Sequence, residues 1–424
     1  MATDMNTNTG ASDKQRYRRS LNGEMEVPFS VREYQERLDR IRADMDALGL
    51  NLLYLSAPES ICYVSGHQAQ WYQGQAATDW HPGSGIAIRA DADRYIHFNE
   101  EHELVLTGIT SASQDVRIRD RAVGGAAPAW ANFVASELES QGWATGTVGL
   151  EMWSSRPNRG YSELFQAALE AKGCEVVDAT KLVRRIRNVK SVQELAYVRT
   201  AQRIADIGMR AAIDHIRPGM TELDAFAEIV FAMAKAGGET PGAPPLVASG
   251  PRSACLHALP SRRVIMPGDI VNVDINGVYN RYHAHMARCF SMGEPHPAVA
   301  AQIEKVVGGV AVVKETIRPN LPVEELARTV EAYYREVGIW DDQQFIGGYE
   351  LGIAFPPDMV GEFYYGVGAN PGDAVFEPGV VCNFEANFYL PKAAGLAIQT
   401  NTMAFTEDAA EFLQSTPPDL IVVE

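Results

Sequence analysis

The chain has 424 residues, with 37 Lys and Arg against 54 Asp and Glu, which gives a formal net charge of −17. This excess of negative charge argues against partners that need a basic surface, so we expect neither nucleic acid nor an anionic membrane. Hydrophobic residues make up 46% and charged residues 21% of the chain, the composition of a folded globular protein. No stretch approaches the roughly 20 consecutive apolar residues that a membrane helix needs.

The N-terminus and the cysteines both favour a cytoplasmic location. Residues 1–26 are polar and lack the apolar core of a secretory signal, which predicts a flexible tail. The five cysteines are widely spaced and contain no CxxC pair. We therefore expect buried free thiols in a reducing compartment.

Residues 27–182 alternate helical and strand patterns, which is typical of an α/β domain. Its first helix is predicted over 29–48, with Ser30 as N-cap and Gly49 after its end. The remaining predicted elements are strands at 51–56, 85–88, 94–98 and 147–150 and a helix at 161–172.

From residue 183 to 424, helices and strands come in blocks without regular βαβ alternation, which indicates an α+β domain. Ser191 and Glu194 form a capping-box pattern that starts a helix. Further helices are predicted at 195–215, 222–236, 298–317 and 323–337, and β-rich stretches at 246–292 and 345–405.

Five motifs in this second domain carry a resemblance to a known superfamily. They are Arg187-x-x-Lys190-Ser-x-x-Glu194, Ile216–Glu222, Pro267–Asp274, Tyr282 with Arg288-x-Phe290, and Phe376–Val380 followed by Glu385. In this order and spacing they resemble the creatinase, aminopeptidase P and methionine aminopeptidase superfamily, peptidase family M24. The resemblance implies an α+β pita-bread catalytic domain, preceded by a smaller creatinase-type α/β domain.

Metal-dependent members of this superfamily bind two ions through two Asp, one His and two Glu. The chain keeps Asp274 and Glu385 at the first Asp and first Glu positions, but has His285, Tyr349 and Gln399 at the other three. Two carboxylates in place of four are a poor shell for two divalent ions, so we expect no metal and no other cofactor. A single ion on Asp274, His285 and Glu385 stays open as an alternative.

The superfamily also has a metal-free branch, which includes creatinase and ectoine hydrolase. The hairpin 280–283 with Arg288, and the stretch 348–362 with its Pro-Pro-Asp sequence, resemble ectoine hydrolases. Two departures point to a different substrate. Creatinase has a catalytic Glu where Ala287 stands, and ectoine hydrolases have Glu where Asp274 stands.

This resemblance implies three catalytic residues. Asp274 would be the attacking group or would position water, His257 would be the acid–base group, and Glu385 would hold substrate nitrogens. Asp274 and Glu385 each lie in an apolar strand, where a carboxylate is costly unless it is paired or functional. A structural salt bridge at each of them, and a merely hydrogen-bonded His257, are the alternatives.

Several other residues are expected to contact substrate. They are His283, His285, Tyr349, Glu362, Arg288, Gln399, Trp71 and Trp80. Arg288, or another arginine near the cleft, would pair with a substrate carboxylate through its fork of donors, and the aromatic residues would face a small cation. The alternatives are a polar rim for the histidines, volume filling for Tyr349, surface charge for Glu362 and loop packing for the tryptophans.

Together these features predict a metal-independent hydrolase that cleaves a non-peptide C–N bond, of cyclic amidine or guanidino type, in a small, polar, carboxylated metabolite. The resemblance implies a homodimer in which the N-terminal domain of one subunit lies near the active site of the other. Two alternatives stay open. One is a metal-dependent Xaa-Pro aminopeptidase, prolidase or carbon–sulfur lyase of the same fold, and the other is a catalytically inactive binding module.

Overall fold

The computed structural model describes residues 26–70, 72, 83–119, 127–153, 158–368 and 372–424. The chain divides into two compact units, and the boundary along the sequence lies between Ile186 and Arg187. The predicted boundary at 182/183 falls four residues earlier, inside the helix Thr180–Asn188. Apart from Glu26, the predicted N-terminal tail lies outside the described residues.

The first unit combines a six-stranded sheet with helices. Its helices are α1 (Val31–Ala47), α2 (Pro58–Ser65), α3 (Leu104–Thr110), α4 (Ala127–Ser140), α5 (Arg159–Glu170) and α6 (Thr180–Asn188). Its strands are β1 (Leu52–Leu55), β2 (Ser84–Arg89), β3 (Tyr95–Glu100), β4 (Asp115–Arg119), β5 (Thr147–Leu150) and β6 (Glu175–Asp178). The strand order is β4-β3-β2-β1-β5-β6. Ser30 caps α1 by accepting a hydrogen bond from the Glu33 amide, which confirms the predicted start of this helix.

A buried pair of histidines lies beside β3 in this unit. The rings of His67 and His97 are 5.1 Å apart, and their Nδ1 atoms lie 3.1 Å from Thr110 Oγ1 and 2.9 Å from Ser113 Oγ. Burial lowers the pKa of His67 to about 4 and the pKa of His97 well below its ordinary value. Both rings are therefore neutral in the folded protein at neutral pH.

The second unit is built around a larger, mainly antiparallel sheet. Its helices are α7 (Val192–His215), α8 (Glu222–Lys235), α9 (Pro297–Thr316) and α10 (Val323–Glu336). Its strands are β7 (Leu246–Ser249), β8 (Ile270–Tyr279), β9 (Tyr282–Met292), β10 (Leu321–Pro322), β11 (Gln343–Tyr349), β12 (Tyr364–Gly366), β13 (Val375–Phe376), β14 (Val381–Tyr389), β15 (Leu396–Phe405), β16 (Ala410–Phe412) and β17 (Ile421–Val423). The order in the large sheet is β12-β11-β14-β15-β9-β8-β7, while β16 pairs with β15, β17 with β9, and β10 with β13 separately. Both halves of the predicted capping box at Ser191 and Glu194 are present at the start of α7.

The hairpin of β8 and β9 separates an apolar face from a polar one. Val273, Ile275 and Met286 belong to one buried cluster with residues of α7 and α8. A side chain at Gly277 would collide with the α7 backbone, because its Cβ would lie 2.0 Å from the Ala201 carbonyl oxygen. We call this side the helix-covered face. Because side chains alternate along a strand, Asp274 lies on the opposite side, which we call the polar face.

Arg288 lies on the helix-covered face and is completely buried. Its donors bond to the carbonyl oxygens of Pro417, Ala287, Thr400 and Thr416 and to Oδ1 of Asn401. These bonds fasten the C-terminal segment to the sheet. The prediction that Arg288 binds a substrate carboxylate is therefore wrong, because β-strand alternation turns the side chain away from Asp274 and its donors are already used.

Two further features concern the chain as a whole. All five cysteines are free thiols, and all except Cys255 are buried. Among the residues that the structure describes, no helix is long and apolar enough to cross a membrane.

The neutral histidines predict a loss of stability in mild acid. Above the ordinary histidine pKa of 6.5, folded and unfolded His67 are both neutral; as the pH falls towards 4, only the unfolded chain takes up the proton. The free energy of unfolding should therefore fall between pH 6.5 and 5 by up to ~1.4 kcal/mol per pH unit for each such histidine. Denaturant unfolding at a series of pH values measures this slope. His67→Gln should reduce it, exposed His215→Gln should not, and a flat wild-type profile would contradict the prediction.

The environment of Arg288 predicts that this residue acts on stability rather than on substrate binding. Arg288→Met should lower the free energy of unfolding by ~3 kcal/mol or more, because several buried carbonyl groups lose their donor. Denaturant titration checks this, with Arg328→Met, an exposed arginine of α10, as the matched control. An Arg288→Met protein of normal stability with a raised KM would restore the substrate-binding role.

Candidate functional site

Asp274 and His285 meet on the polar face of the β8–β9 hairpin. In the strand register Asn276 lies directly opposite His285. Asp274, two residues before Asn276, is therefore the diagonal neighbour of His285 on the same face of the sheet. Nε2 of His285 lies 2.6 Å from Oδ1 of Asp274, a hydrogen bond in which the imidazole donates to the carboxylate. The His285 side chain is 3% exposed and that of Asp274 is 23% exposed. Asp274 is thus fixed on one side and accessible on the other.

The second ring nitrogen of His285 faces the strands β11 and β14. Nδ1 lies 2.9 Å from Nδ2 of Asn383, 3.1 Å from the hydroxyl of Tyr349 and 3.6 Å from Oε1 of Glu385. The Tyr349 ring stacks near the imidazole, with 6.0 Å between the ring centroids. His285 therefore stands between the two carboxylates, and both of its nitrogens have neighbours.

Asn383 links the remaining members of the site. Its Nδ2 donates to Oε1 of Glu385 at 2.7 Å, and its Oδ1 accepts from the Tyr349 backbone amide at 2.7 Å. Sequence analysis did not select Asn383, because an isolated asparagine belongs to no catalytic motif. The available signal was its position two residues before Glu385, which places both side chains on one face of β14.

Charge and burial shift the pKa values of three of these groups. Burial lowers the pKa of His285, but the carboxylates of Asp274 and Glu385 outweigh it and bring the pKa above the ordinary value. Burial raises the pKa of Glu385, against the opposing effect of His285. Burial also raises the pKa of Tyr349 well above its ordinary value, so its hydroxyl stays protonated and can donate a hydrogen bond.

The arrangement does not fit the metal centre that the fold implies. A metal ion needs an unprotonated imidazole nitrogen with a free lone pair, whereas Nε2 of His285 is bonded to Asp274 and Nδ1 faces the Asn383 amide. Tyr349, whose pKa is raised, is a poor anionic ligand. Within the described ranges, no group of three or more His, Cys, Asp or Glu side chains is placed to hold an ion.

His257 is the third predicted catalytic residue. It follows the short 3-10 helix Gly250–Ala254, in a turn of the loop that leads to β8, and its side chain is exposed. In the part of the chain that the structure describes, no hydrogen bond joins it to Asp274, His285 or Glu385. The structure therefore leaves its acid–base role a prediction.

His283 is a structural residue rather than a substrate contact. It is completely buried, its Nδ1 donates to the Arg281 carbonyl at 2.9 Å, and its Nε2 accepts from the Gly242 amide at 2.8 Å. Burial lowers the pKa of His283 to about 3, so the ring stays neutral. The prediction that it touches substrate does not fit, because both nitrogens hold backbone groups.

Gln399 also lies away from the site. Glu385 pairs with Thr400 and Ala386 with Gln399, so Gln399 projects from the face opposite Glu385. Its Nε2 donates to the Pro418 carbonyl. The prediction that it contacts substrate is wrong, because it rested on motif position and the strand register decides the direction of the side chain.

The other predicted contacts divide into two groups. Glu362 is partly buried, and its backbone amide donates to Oε2 of Glu350, the residue that follows Tyr349 in the chain. Glu350 in turn forms a buried ion pair with Lys190, at 2.5 Å. The hydrogen bond from the Glu362 amide thus joins its segment to Glu350, just after β11, and the ion pair joins Glu350 to Lys190. Trp71 and Trp80 lie outside the described residues.

Family models match both units of the chain. Residues 37–189 match the creatinase/prolidase N-terminal domain, and residues 196–408 match metallopeptidase family M24. The second match alone covers half of the chain.

Individual relatives include enzymes of two kinds. An ectoine hydrolase from Halomonas elongata is 26% identical over 94% of this chain and 99% of its own. A Xaa-Pro dipeptidase from Pyrococcus furiosus is 24% identical over 91% of this chain and 100% of its own. Among solved structures, a Xaa-Pro dipeptidase from Bacillus anthracis has a TM-score of 0.77 at 22% identity, covering 92% of this chain and all of its own.

These matches confirm the predicted fold class, an α+β pita-bread unit that follows a smaller creatinase-type unit. The names of these relatives describe hydrolysis of different bonds. They therefore support hydrolysis as the reaction class, but they do not identify the substrate. The chain belongs to the M24 family and is a hydrolase of that family.

Proposed function

We propose that this protein is a metal-independent hydrolase that cleaves a non-peptide C–N bond, of cyclic amidine or guanidino type, in a small polar substrate. One observation carries the proposal: His285 stands between Asp274 and Glu385 and bonds to Asp274 at 2.6 Å, so an imidazole takes the place of an ion between two carboxylates. The similarity to an ectoine hydrolase over 94% of the chain supports the same reaction class.

Asp274 is the reacting carboxylate in this proposal. Its Oδ1 accepts a hydrogen bond from His285, which leaves Oδ2 available to the substrate. The Asp274 side chain is 23% exposed. Oδ2 either attacks the amidine carbon directly or takes a proton from the water that attacks it. In both versions the departing nitrogen needs a proton before the C–N bond breaks, and His257 is the proposed donor. In the direct version, water then hydrolyses the bond between Oδ2 and the substrate carbon, which regenerates the Asp274 carboxylate.

Glu385 and Tyr349 form the proposed binding side for the substrate cation. Both lie beside His285, and the Glu385 side chain is 11% exposed. The Glu385 carboxylate can accept a hydrogen bond from an amidinium N–H group of the substrate. The neutral Tyr349 hydroxyl can donate a hydrogen bond to an uncharged substrate nitrogen. This side favours a substrate that is positively charged at the reacting carbon.

Arg288 is not the partner of a substrate carboxylate, because its donors hold backbone carbonyl groups on the other face of the sheet. A carboxylated substrate stays part of the proposal, with another arginine near the cleft as its partner. A homodimer, with the N-terminal unit of one subunit near the site of the other, stays part of the proposal as the resemblance implies it. A cytoplasmic location stays part of the proposal on the composition of the N-terminus and the spacing of the cysteines.

A substrate screen on chelator-treated protein tests this function. Cyclic amidines and guanidino compounds should be hydrolysed at the same rate before and after EDTA, because no step needs an ion. Release of the amine product is the measurement, with Xaa-Pro dipeptides as the comparison substrates. Hydrolysis of Xaa-Pro dipeptides that depends on added Mn²⁺ would instead assign the chain to the peptidases.

Asp274→Asn tests the reacting carboxylate. The variant keeps the size of the side chain and one acceptor for His285, so it should fold but lose about 10²- to 10⁴-fold in kcat. Exposed Asp408→Asn is the matched control and should keep wild-type kcat. Mass spectrometry of quenched wild-type protein distinguishes the two versions, since only direct attack gives an adduct on Asp274. An active Asp274→Asn protein would contradict both.

A further inference from the structure

Asn383 has a fixed amide orientation. It is completely buried on β14, and its Oδ1 accepts from the Tyr349 backbone amide at 2.7 Å while its Nδ2 donates to Glu385 at 2.7 Å. Exchanging the oxygen and nitrogen would place Nδ2 against an N–H donor and Oδ1 against a carboxylate oxygen. Both contacts would be repulsive, so Nδ2 with its two hydrogens must face Glu385 and His285.

The second hydrogen of Nδ2 determines which nitrogen of His285 carries the proton. Nδ2 lies 2.9 Å from Nδ1 of His285 and can only donate, so in the neutral ring Nδ1 must offer a lone pair. The ring proton then lies on Nε2, which is 2.6 Å from Oδ1 of Asp274. A proton on Nδ1 would point at the amide hydrogen instead.

We propose that Asn383 is the positioning residue of this site: its amide holds the proton of His285 on Nε2 and so presents it to Asp274. The value of this arrangement for catalysis rests on the proposed function, in which Asp274 reacts. A constant Nε2–H bond to Oδ1 keeps the Asp274 carboxylate in one orientation with Oδ2 free for the substrate.

Asn383→Asp is the sharpest change, because it keeps the size of the side chain and the acceptor for the Tyr349 amide. A carboxylate oxygen would then face Nδ1 and accept a hydrogen bond from it. The proton of His285 should move to Nδ1, or both nitrogens should become protonated. In activity, kcat should fall about 10- to 100-fold, as when an orienting partner of a site histidine is lost, with KM little changed.

Nitrogen NMR of protein labelled with ¹⁵N-histidine reads the tautomer directly and needs no substrate. At mildly alkaline pH, wild-type His285 should show a protonated Nε2 and an unprotonated Nδ1. Its signals are assigned as those missing from His285→Gln. Asn401→Asp is the matched control, since Nδ2 of buried Asn401 donates to no neighbour among the described residues and its Oδ1 bonds to Arg288 and Gln414.

A proton on Nδ1 of neutral His285 in the wild-type spectrum would overturn the proposal, and this measurement does not require that the variants fold. An Asn383→Asp protein with an unchanged His285 tautomer would also overturn it, whereas Asn401→Asp should match the wild type. Because the tautomer is measured without turnover, a wrong substrate class leaves this result intact. A wrong tautomer likewise leaves the Asp274→Asn experiment valid.

Discussion

The hydrogen bond from His285 to Asp274 joins two neighbouring strands at the position where metal-dependent members of the superfamily hold their ions. A carboxylate within a buried sheet needs a compensating donor or cation, because an unpaired charge there costs several kcal/mol. In this chain the imidazole of His285 compensates Asp274, at 2.6 Å, and also lies 3.6 Å from Glu385. Tyr349 and Asn383 both contact Nδ1, the other nitrogen of the His285 ring.

The sheet around this cluster explains how such a polar group is tolerated. The helix-covered face supplies the apolar burial, through Val273, Ile275 and Met286 against α7 and α8. Arg288 fastens the C-terminal segment on that same face, and the ion pair of Lys190 with Glu350 fastens the segment after β11. Rigid strands then hold the polar side chains on the other face, which is what positioning a reacting carboxylate requires.

Sequence reasoning was most successful where a local rule decides the structure. The N-cap at Ser30 and the capping box of Ser191 and Glu194 follow from hydrogen bonding within one turn. Asp274, His285 and Glu385 were expected together only as the alternative ligand set for a single ion, and the structure brings these three side chains together. The family and the two-unit architecture followed from motif order.

The failures occurred where strand register and long-range packing decide the outcome. Gln399 occupies a ligand position by motif, yet it pairs with Ala386 and projects from the face opposite Glu385. His283 was predicted to contact substrate together with His285, but its nitrogens bond to Arg281 and to Gly242, a residue 41 positions earlier. The spacing of Asn383 from Glu385 indicates a shared strand face, but its contact with Tyr349 depends on strand pairing, which the sequence does not show.

The metal content of the wild-type protein tests most directly whether this site works without a metal ion. The protein would be equilibrated with excess Mn²⁺, Fe²⁺ or Zn²⁺, passed through gel filtration and analysed for bound metal and for hydrolysis of an amidine substrate. We expect background metal for each ion and the same rate of hydrolysis as with chelator-treated protein, because His285 already occupies the space between Asp274 and Glu385. One or two tightly bound ions per chain, with activity that follows their occupancy, would contradict it.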